Sequence, residues 1–230
     1  MSRFETTRWS LVLRARADEP DARAALEALC RSYRPPVVAY VRSRGYAPEA
    51  ADDLVQGFFL RFLDHAWHAG ADRERGRFRA YLLTMLKRYL GSAETEAHAQ
   101  KRGGGVRIEA LDEADGAVGD DATPEQTFER AWAITLLGRA VSRLRSEAEE
   151  AGRIALFDAL KTFLVERPDE ADYARVADRL GVRRNTLAVA VHRLRHRLQE
   201  LIREELADTT GSEDDLDAEL DDLRGALGAE

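Results

Sequence analysis

The sequence has few of the features that mark secreted, membrane or disulfide-bonded proteins. Its one cysteine, Cys30, cannot form a disulfide within the chain. There is no apolar run of about 18 residues, and the start lacks a charged segment followed by an apolar one. We therefore expect a soluble, cytoplasmic protein that does not contact a membrane.

Motifs for catalysis and for metal binding are also scarce. No glycine-rich phosphate loop follows a strand pattern, and no Ser-His-Asp or paired-carboxylate arrangement stands out from ordinary surface charge. The pairs His65/His68 and His192/His196 have helical spacing, but neither has a third ligand at a metal-site spacing. We expect no enzymatic activity, no cofactor and no metal.

Strand patterns are nearly absent, whereas Ala, Leu, Arg and Glu are abundant. These residues favour helices, and 44% of the 230 residues are apolar, which suffices for one or two small cores. The composition predicts an all-α fold of two small helical domains.

The most informative stretch is 173–206, which predicts a short helix, a tight turn at Gly181 and a long second helix. Val176, Ala177, Leu180 and Val182 are predicted to pack inward. Leucine, valine and isoleucine recur every three or four residues along the second helix and predict one buried stripe. The members of that stripe are Leu187, Val191, Leu194, Leu198, Leu201 and Ile202. This arrangement is typical of a helix-turn-helix.

Basic residues cover the other side of the second helix. Residues 182–203 contain six arginines and one acid, Glu200, although the whole chain has a net charge of −7. Such a surface suits phosphates and guanine edges, although helical bundles that never bind DNA also carry arginine-rich faces.

Three helices are predicted nearer the N-terminus. The first spans 21–44, and Pro35-Pro36 either kinks or divides it. The second opens at Pro48, and its phenylalanines are either plain core or partly a docking surface. The third runs from Phe78 to Gly91, and its exposed side is predicted to offer Arg79, Thr84, Lys87 and Arg88. A loop separates the second helix from the third.

The segments ADDLVQGFFLRFL and GRFRAYLLTMLKRYL resemble the second conserved region of extracytoplasmic-function (ECF) sigma factors, within the sigma-70 family. The segment DYARVADRLGVRRNTLAVAVHRLRHRL resembles their fourth region. The resemblance implies a promoter-specificity subunit of bacterial RNA polymerase. Its partners would be core RNA polymerase and promoter DNA, and its regulator an anti-sigma protein, a kinase or its own C-terminal tail.

The resemblance also implies roles for individual residues. The residues that would bind core polymerase are Asp53, Gln56, Phe59 and Arg61. Those near the melted −10 strand would be Trp67, Arg75, Arg77, Lys87 and Arg88, although the family usually has Asn at the position of Arg88. Those at the −35 element would be Ala188, Val189, His192 and Arg193, and the basic surface of the second helix adds Arg183, Arg184, Asn185 and Arg197 as DNA-binding candidates.

The implied domains are a region 2-like domain over 1–102, an acidic flexible linker over 103–130, a region 4-like domain over 131–206 and an acidic tail over 207–230. The tail has nine acids and one arginine. It is either a solubilising end or a mask for Arg193 and Arg197.

Two other classes of protein compete with the sigma factor. A stand-alone helix-turn-helix regulator would leave the phenylalanine-rich second helix unused. A helical adaptor that binds only proteins would leave the arginine-rich helix unused.

Overall fold

A computed structural model of the chain describes residues 20–64, 78–103, 122–166, 168–207 and 213–227, and over these ranges it contains only helices and turns. The predicted all-α class is confirmed. The helices are α1 Pro20–Ser43, α2 Pro48–Asp64, α3 Phe78–Gly103, α4 Pro124–Glu150, α5 Ile154–Leu160, α6 Glu170–Leu180, α7 Arg184–Ala207 and α8 Glu213–Leu227. A 3-10 helix, Lys161–Leu164, follows α5.

The described residues form two compact units. The first unit contains those up to Thr135 together with those from Leu206 onward, and the second unit is Leu136–Glu205. Helix α4 therefore contributes its first turns to the first unit and the rest to the second. Helix α8 belongs to the first unit.

Aromatic side chains build the core of the first unit. Phe58 and Phe62 of α2 are fully buried, so these two phenylalanines are core residues. Phe62 contacts Phe78 of α3 with 6.2 Å between ring centroids, and Tyr33 of α1 contacts the same ring at 5.2 Å. Phe58 packs on Tyr89 at 5.7 Å. These contacts hold α1, α2 and α3 together.

Gly57 explains how α2 and α3 approach each other. A Cβ atom at this position would lie 2.5 Å from the Tyr89 hydroxyl oxygen, which is too close for a nonbonded contact. A glycine inside a helix costs about 1 kcal/mol relative to alanine. Here the close approach of Tyr89 accounts for it.

Two helix breaks considered for the first unit, a division of the first helix at Pro35-Pro36 and an end of the third helix at Gly91, are not present in the structure. Pro35 and Pro36 lie inside the single helix α1, where Tyr33, Val37 and Tyr40 are buried around them. Tertiary packing thus outweighs the local cost of the prolines. The predicted end of α3 at Gly91 is wrong, because the helix continues to Gly103.

Contacts beyond Gly91 explain why α3 continues. Glu94 accepts hydrogen bonds from the Tyr46 hydroxyl at 2.8 Å and from Arg44 at 3.0 Å. The Thr95 hydroxyl donates to the Gly91 carbonyl at 2.8 Å. The residues after the glycine are good helix formers, so one glycine does not end the helix.

Helix α4 starts inside the predicted linker. Thr123 and Gln126 form a reciprocal pair, in which the Gln126 N–H donates to the Thr123 hydroxyl oxygen and the Thr123 N–H donates to the Gln126 side chain. Pro124 occupies the first helical position, which suits a residue without an N–H. Residues 104–121 of the predicted linker lie outside the described residues.

Two apolar clusters build the second unit. Val176 and Ala177 of α6 pack with Leu187 and Val191 of α7, as predicted. Leu198 and Leu201 of α7 pack in the other cluster. Leu194 and Ile202 are half-buried at the edges of these clusters. Val182 is 37% exposed instead of packing inward. The buried stripe of the long helix is otherwise confirmed.

Candidate nucleic-acid interface

The turn between α6 and α7 is fixed by local hydrogen bonds. Asp169 caps α6 and forms a reciprocal capping box with Asp172. Gly181 takes a left-handed conformation with φ of 65°, and its N–H donates to the Ala177 carbonyl. The Val182 N–H donates to the same carbonyl at 3.1 Å. Glycine tolerates this backbone conformation best, so the predicted succession of helix, turn at Gly181 and helix is present.

The first three turns of α7 present polar side chains to solvent. The exposed residues there include Arg184, Asn185, Ala188, Val189, His192 and Arg193, and Arg183, directly before the helix, is exposed as well. Within the described residues, neither Arg183 nor Arg193 makes a recorded ion pair. Both guanidinium groups are therefore available to a ligand, whereas Ala188 and Val189 offer only apolar contact.

A groove of about 670 Å³ runs beside this surface within the second unit. Asn185, Val189 and Arg193 form one side, and Phe157 and Leu156 lie among the apolar lining. The groove gives the start of α7 a concave flank with both polar and apolar atoms.

Arg197 has different surroundings, although the sequence groups it with Arg193. Its guanidinium makes two hydrogen bonds to Glu147 of α4, at 2.9 and 2.7 Å. It also contacts Glu200 at 2.8 Å and Glu204 at 3.2 Å. The hydrogen bonds from Arg197 lower the pKa of Glu147 below its usual value. In this conformation Arg197 joins α4 to α7 and is already neutralised.

Arg195 is also occupied within the protein. Its side chain donates to the backbone carbonyls of Phe163 at 2.9 Å and Glu166 at 2.8 Å. It therefore closes the end of the 3-10 helix. The basic surface of α7 that is available to a ligand is therefore smaller than the six arginines of residues 182–203 suggest.

Helix α2 presents an exposed stripe opposite its core face. Asp53 and Gln56 are exposed, and Leu60 is 53% exposed at the same helical spacing. Arg61 is exposed at the flank, with its guanidinium 5.3 Å from the centroid of the Tyr89 ring. Phe59 is half-buried and packs edge-on against Phe58 at 5.2 Å. The structure thus brings Asp53 and Gln56 together and places Phe59 partly in the core.

Leu60 is a surface residue that the sequence reasoning missed. The sequence could have indicated its exposure, because Leu60 lies seven residues after Asp53 and therefore on the same helix face, away from the apolar stripe. The many apolar residues around it concealed this position.

Basic residues of the predicted −10 surface lie on α3. Arg88 is exposed, and Lys87 forms an ion pair with Glu125 of α4 at 2.7 Å. Hydrogen bonding to Lys87 lowers the pKa of Glu125. Trp67, Arg75 and Arg77 lie outside the described residues.

The expectation that Arg79 faces solvent is wrong. Its side chain is 6% exposed and forms ion pairs with Glu129 at 3.0 Å, Glu219 at 2.6 Å and Asp222 at 2.7 Å. Its guanidinium also stacks over the Trp132 ring at 4.0 Å. Sequence spacing could not show this, because the partners lie on α4 and α8, far along the chain.

The acidic tail contributes α8, and two carboxylates of this helix, those of Glu219 and Asp222, form ion pairs with Arg79. Leu216, Glu219 and Leu223 are buried along one face of that helix. The predicted helical spacing of the tail leucines is observed, and the carboxylates on that helix pair with Arg79. Masking of Arg193 and Arg197 by the tail stays a prediction.

Two further findings concern chemistry. Among the described residues, no group of three His, Cys, Asp or Glu side chains is arranged to hold a metal ion. None of the described helices combines the length and the apolar character needed to cross a membrane.

A family model described as Sigma-70 region 2 matches residues 29–92. This segment is less than a third of the chain and contains Asp53, Gln56, Arg79, Lys87 and Arg88. The match supports the sigma-70 resemblance of the first unit and a role in transcription initiation. No curated protein and no solved structure matches the chain.

Proposed function

We propose that this chain is an ECF-type sigma factor that acts in the cytoplasm, binds core RNA polymerase and directs it to promoters. The observation that carries the proposal is the Sigma-70 region 2 match over residues 29–92, which contains the exposed stripe of α2. The basic surface of α7 supplies a second, independent feature. No step of this function requires catalysis by the chain itself.

The polymerase-binding surface in this proposal is centred on Asp53, Gln56 and Leu60. An exposed leucine between polar side chains offers apolar contact at the centre and hydrogen bonds at the rim, as protein interfaces do. Arg61 extends the surface on one flank. Phe59 contributes mainly by packing, because it is half-buried.

The −10 surface is proposed on α3 and on residues 65–77, with Arg88 as its exposed cation. Lys87 joins this surface by exchanging the carboxylate of Glu125 for a phosphate oxygen. The exchange is open to solvent, because 44% of the Lys87 side chain and 43% of the Glu125 side chain are exposed. Single-stranded nucleic acid is bound by such basic surfaces together with aromatic rings.

The −35 surface is proposed at the start of α7. In this proposal the exposed Arg193 and His192 donate hydrogen bonds to base edges, while Ala188 and Val189 contact thymine methyl groups. Arg183 and Arg184 precede them and are suited to phosphates. Arg197 is left out of the direct contacts because three carboxylates hold it.

The alternative is a helix-turn-helix regulator that acts without polymerase. It is favoured by one observation, namely that the free arginines of α7 lie in the second unit, outside the matched segment. Binding to core polymerase separates the two functions.

The test is the dissociation constant for core RNA polymerase. Leu60→Ser should weaken binding at least about tenfold, or about 1.4 kcal/mol, because the leucine lies at the proposed centre. Ile134→Ser is the matched control, since Ile134 is 56% exposed against 53% for Leu60 but lies on α4. Asp53→Ala should weaken binding as well.

Equal binding by the Leu60 and Ile134 variants would remove α2 from the interface. Absence of any binding between the wild-type chain and core polymerase would exclude the sigma-factor function and leave the regulator.

A further inference from the structure

The carboxylates around Arg79 come from two helices that are distant in sequence. Glu129 belongs to the first turns of α4, whereas Glu219 and Asp222 belong to α8. One guanidinium therefore faces three carboxylates, and the centre carries an excess of negative charge.

The groove beside this centre is acidic as well. It has a volume of about 980 Å³, and its lining has four carboxylates, those of Glu125, Glu129, Asp221 and Asp222, against the two guanidinium groups of Arg79 and Arg130. With α8 in place, the start of α3 is therefore a region that repels a polyanion.

Helix α8 packs in the first unit through a buried face and through ion pairs from Glu219 and Asp222 to Arg79. Leu216 and Leu223 are buried, and Glu219 lies between them with 3% exposure. The desolvation of two charges offsets much of the attraction in a buried ion pair such as Arg79–Glu219. The sequence of α8 contains seven acids and one arginine, so its docking also works against charge repulsion.

Release of α8 would not leave the Arg79 guanidinium buried without a partner. Arg79 would keep Glu129 at 3.0 Å and the Trp132 ring at 4.0 Å. Glu219 and Asp222 would move into water, where carboxylates are well solvated. Release of α8 is therefore compatible with an Arg79 that stays paired.

Arg79 also has a position that matters for the proposed function. It is the second residue of α3, directly after 65–77, and Lys87 and Arg88 follow on the same helix. The carboxylates of α8 occupy the guanidinium atoms that a phosphate would take.

We propose that α8 is an autoinhibitory helix, which covers Arg79 in the free protein and must leave before the start of α3 binds the phosphates of melted promoter DNA. This proposal rests on the proposed function, because it assigns regulation to the same −10 surface.

The experiment measures binding of a fluorescein-labelled single-stranded DNA oligonucleotide of mixed sequence to the full chain at low salt. Two matched pairs of variants separate the effect of releasing α8 from the effect of removing a negative charge. Asp222→Asn removes a carboxylate that contacts Arg79, whereas Asp221→Asn removes one that pairs with Arg224 of its own helix at 2.7 Å. Leu223→Ala loosens the buried face without changing charge, and Leu227→Ala trims a residue that is 39% exposed.

We expect Asp222→Asn and Leu223→Ala each to bind the strand at least about threefold more tightly than their controls, because a larger fraction of the protein has α8 released from Arg79. The gain for Asp222→Asn should shrink as salt is raised. Circular dichroism confirms that each variant is folded.

Equal affinities within both pairs, including no measurable binding by any variant, would overturn the autoinhibitory role. A lower melting temperature for Leu223→Ala without tighter binding would show that α8 is a permanent part of the fold. Binding of wild type to core polymerase is measured separately, so failure of this proposal is distinguishable from failure of the proposed function.

Discussion

Arg193 and Arg197 lie one helical turn apart on α7, and their surroundings differ. Arg193 is exposed without a recorded partner in the described part of the chain, whereas Arg197 is held by Glu147, Glu200 and Glu204. Whether an arginine of α7 is available to a ligand therefore depends on the helix packed beside it. At the residue scale, Glu147 of α4 draws Arg197 into a partly exposed ion-pair network within the second unit.

The Arg197–Glu147 pair predicts how stability depends on pH. Because Arg197 lowers the pKa of Glu147 in the folded protein, this carboxylate stabilises the fold above its unfolded-state pKa. That contribution is lost as the pH falls through the lower, folded-state pKa. Wild type should exceed Glu147→Gln in stability near neutral pH by less than about 1 kcal/mol, because the pair is partly exposed. The difference should vanish in acid.

Urea unfolding followed by circular dichroism over a pH series measures this difference. Glu149→Gln is the control, since it removes the same charge from the same helix at a more exposed, 3.6 Å contact with Arg145. A difference between wild type and Glu147→Gln that does not change with pH would show that the ion pair does not produce it.

At the scale of elements, local signals explain most helix starts and few helix ends. Pro48 and Phe78 begin α2 and α3 as predicted, and Gly181 ends α6. Gly91 fails as an end because Glu94 beyond it is anchored by Arg44 and Tyr46. Such anchors join residues far apart in sequence, and helical periodicity carries no information about them.

The start of α4 was predictable from sequence, because Thr123, Pro124 and Gln126 form a capping signature. The acidic and glycine-rich residues before it favoured a linker instead. The docking of α8 on Arg79 was not predictable, since an acidic amphipathic helix suits many partners and only the fold selects one.

The cap of α4 can be tested by substitution. Thr123→Ala should destabilise the protein by about 1 kcal/mol, because the Gln126 N–H loses its acceptor. Ser142→Ala in the same helix should be nearly neutral, because its hydroxyl only donates to the Gly138 carbonyl on an exposed face. Thermal unfolding measures both variants, and equal effects would argue against the cap.

The surface of α7 predicts two kinds of arginine variant. Arg193→Ala should cost about 1–3 kcal/mol on a duplex selected for binding and should relax specificity at one base pair. Arg183→Ala should weaken selected and random duplexes alike, and it should reduce the slope of log K against log salt by about one. Fluorescence anisotropy over a salt series measures both. Equal losses for Arg193→Ala on both duplexes would contradict its role in reading bases.

At the scale of the whole molecule, basic and acidic residues are concentrated on different helices. The chain has a net charge of −7, yet the exposed face at the start of α7 is basic and α8 is strongly acidic. The mean charge therefore hides both the surface proposed for DNA and the helix proposed to oppose DNA. The two features are located in different units, so each can be altered without the other.

Transcription in vitro tests the central claim most directly. Core RNA polymerase is incubated with fragmented genomic DNA of the source organism, with and without the full chain, and the 5′ ends of the transcripts are sequenced. We expect discrete start sites that require the chain, preceded by shared −10 and −35 sequences, and loss of these starts with Leu60→Ser but not with Ile134→Ser. The same distribution of 5′ ends with and without the chain would contradict the account.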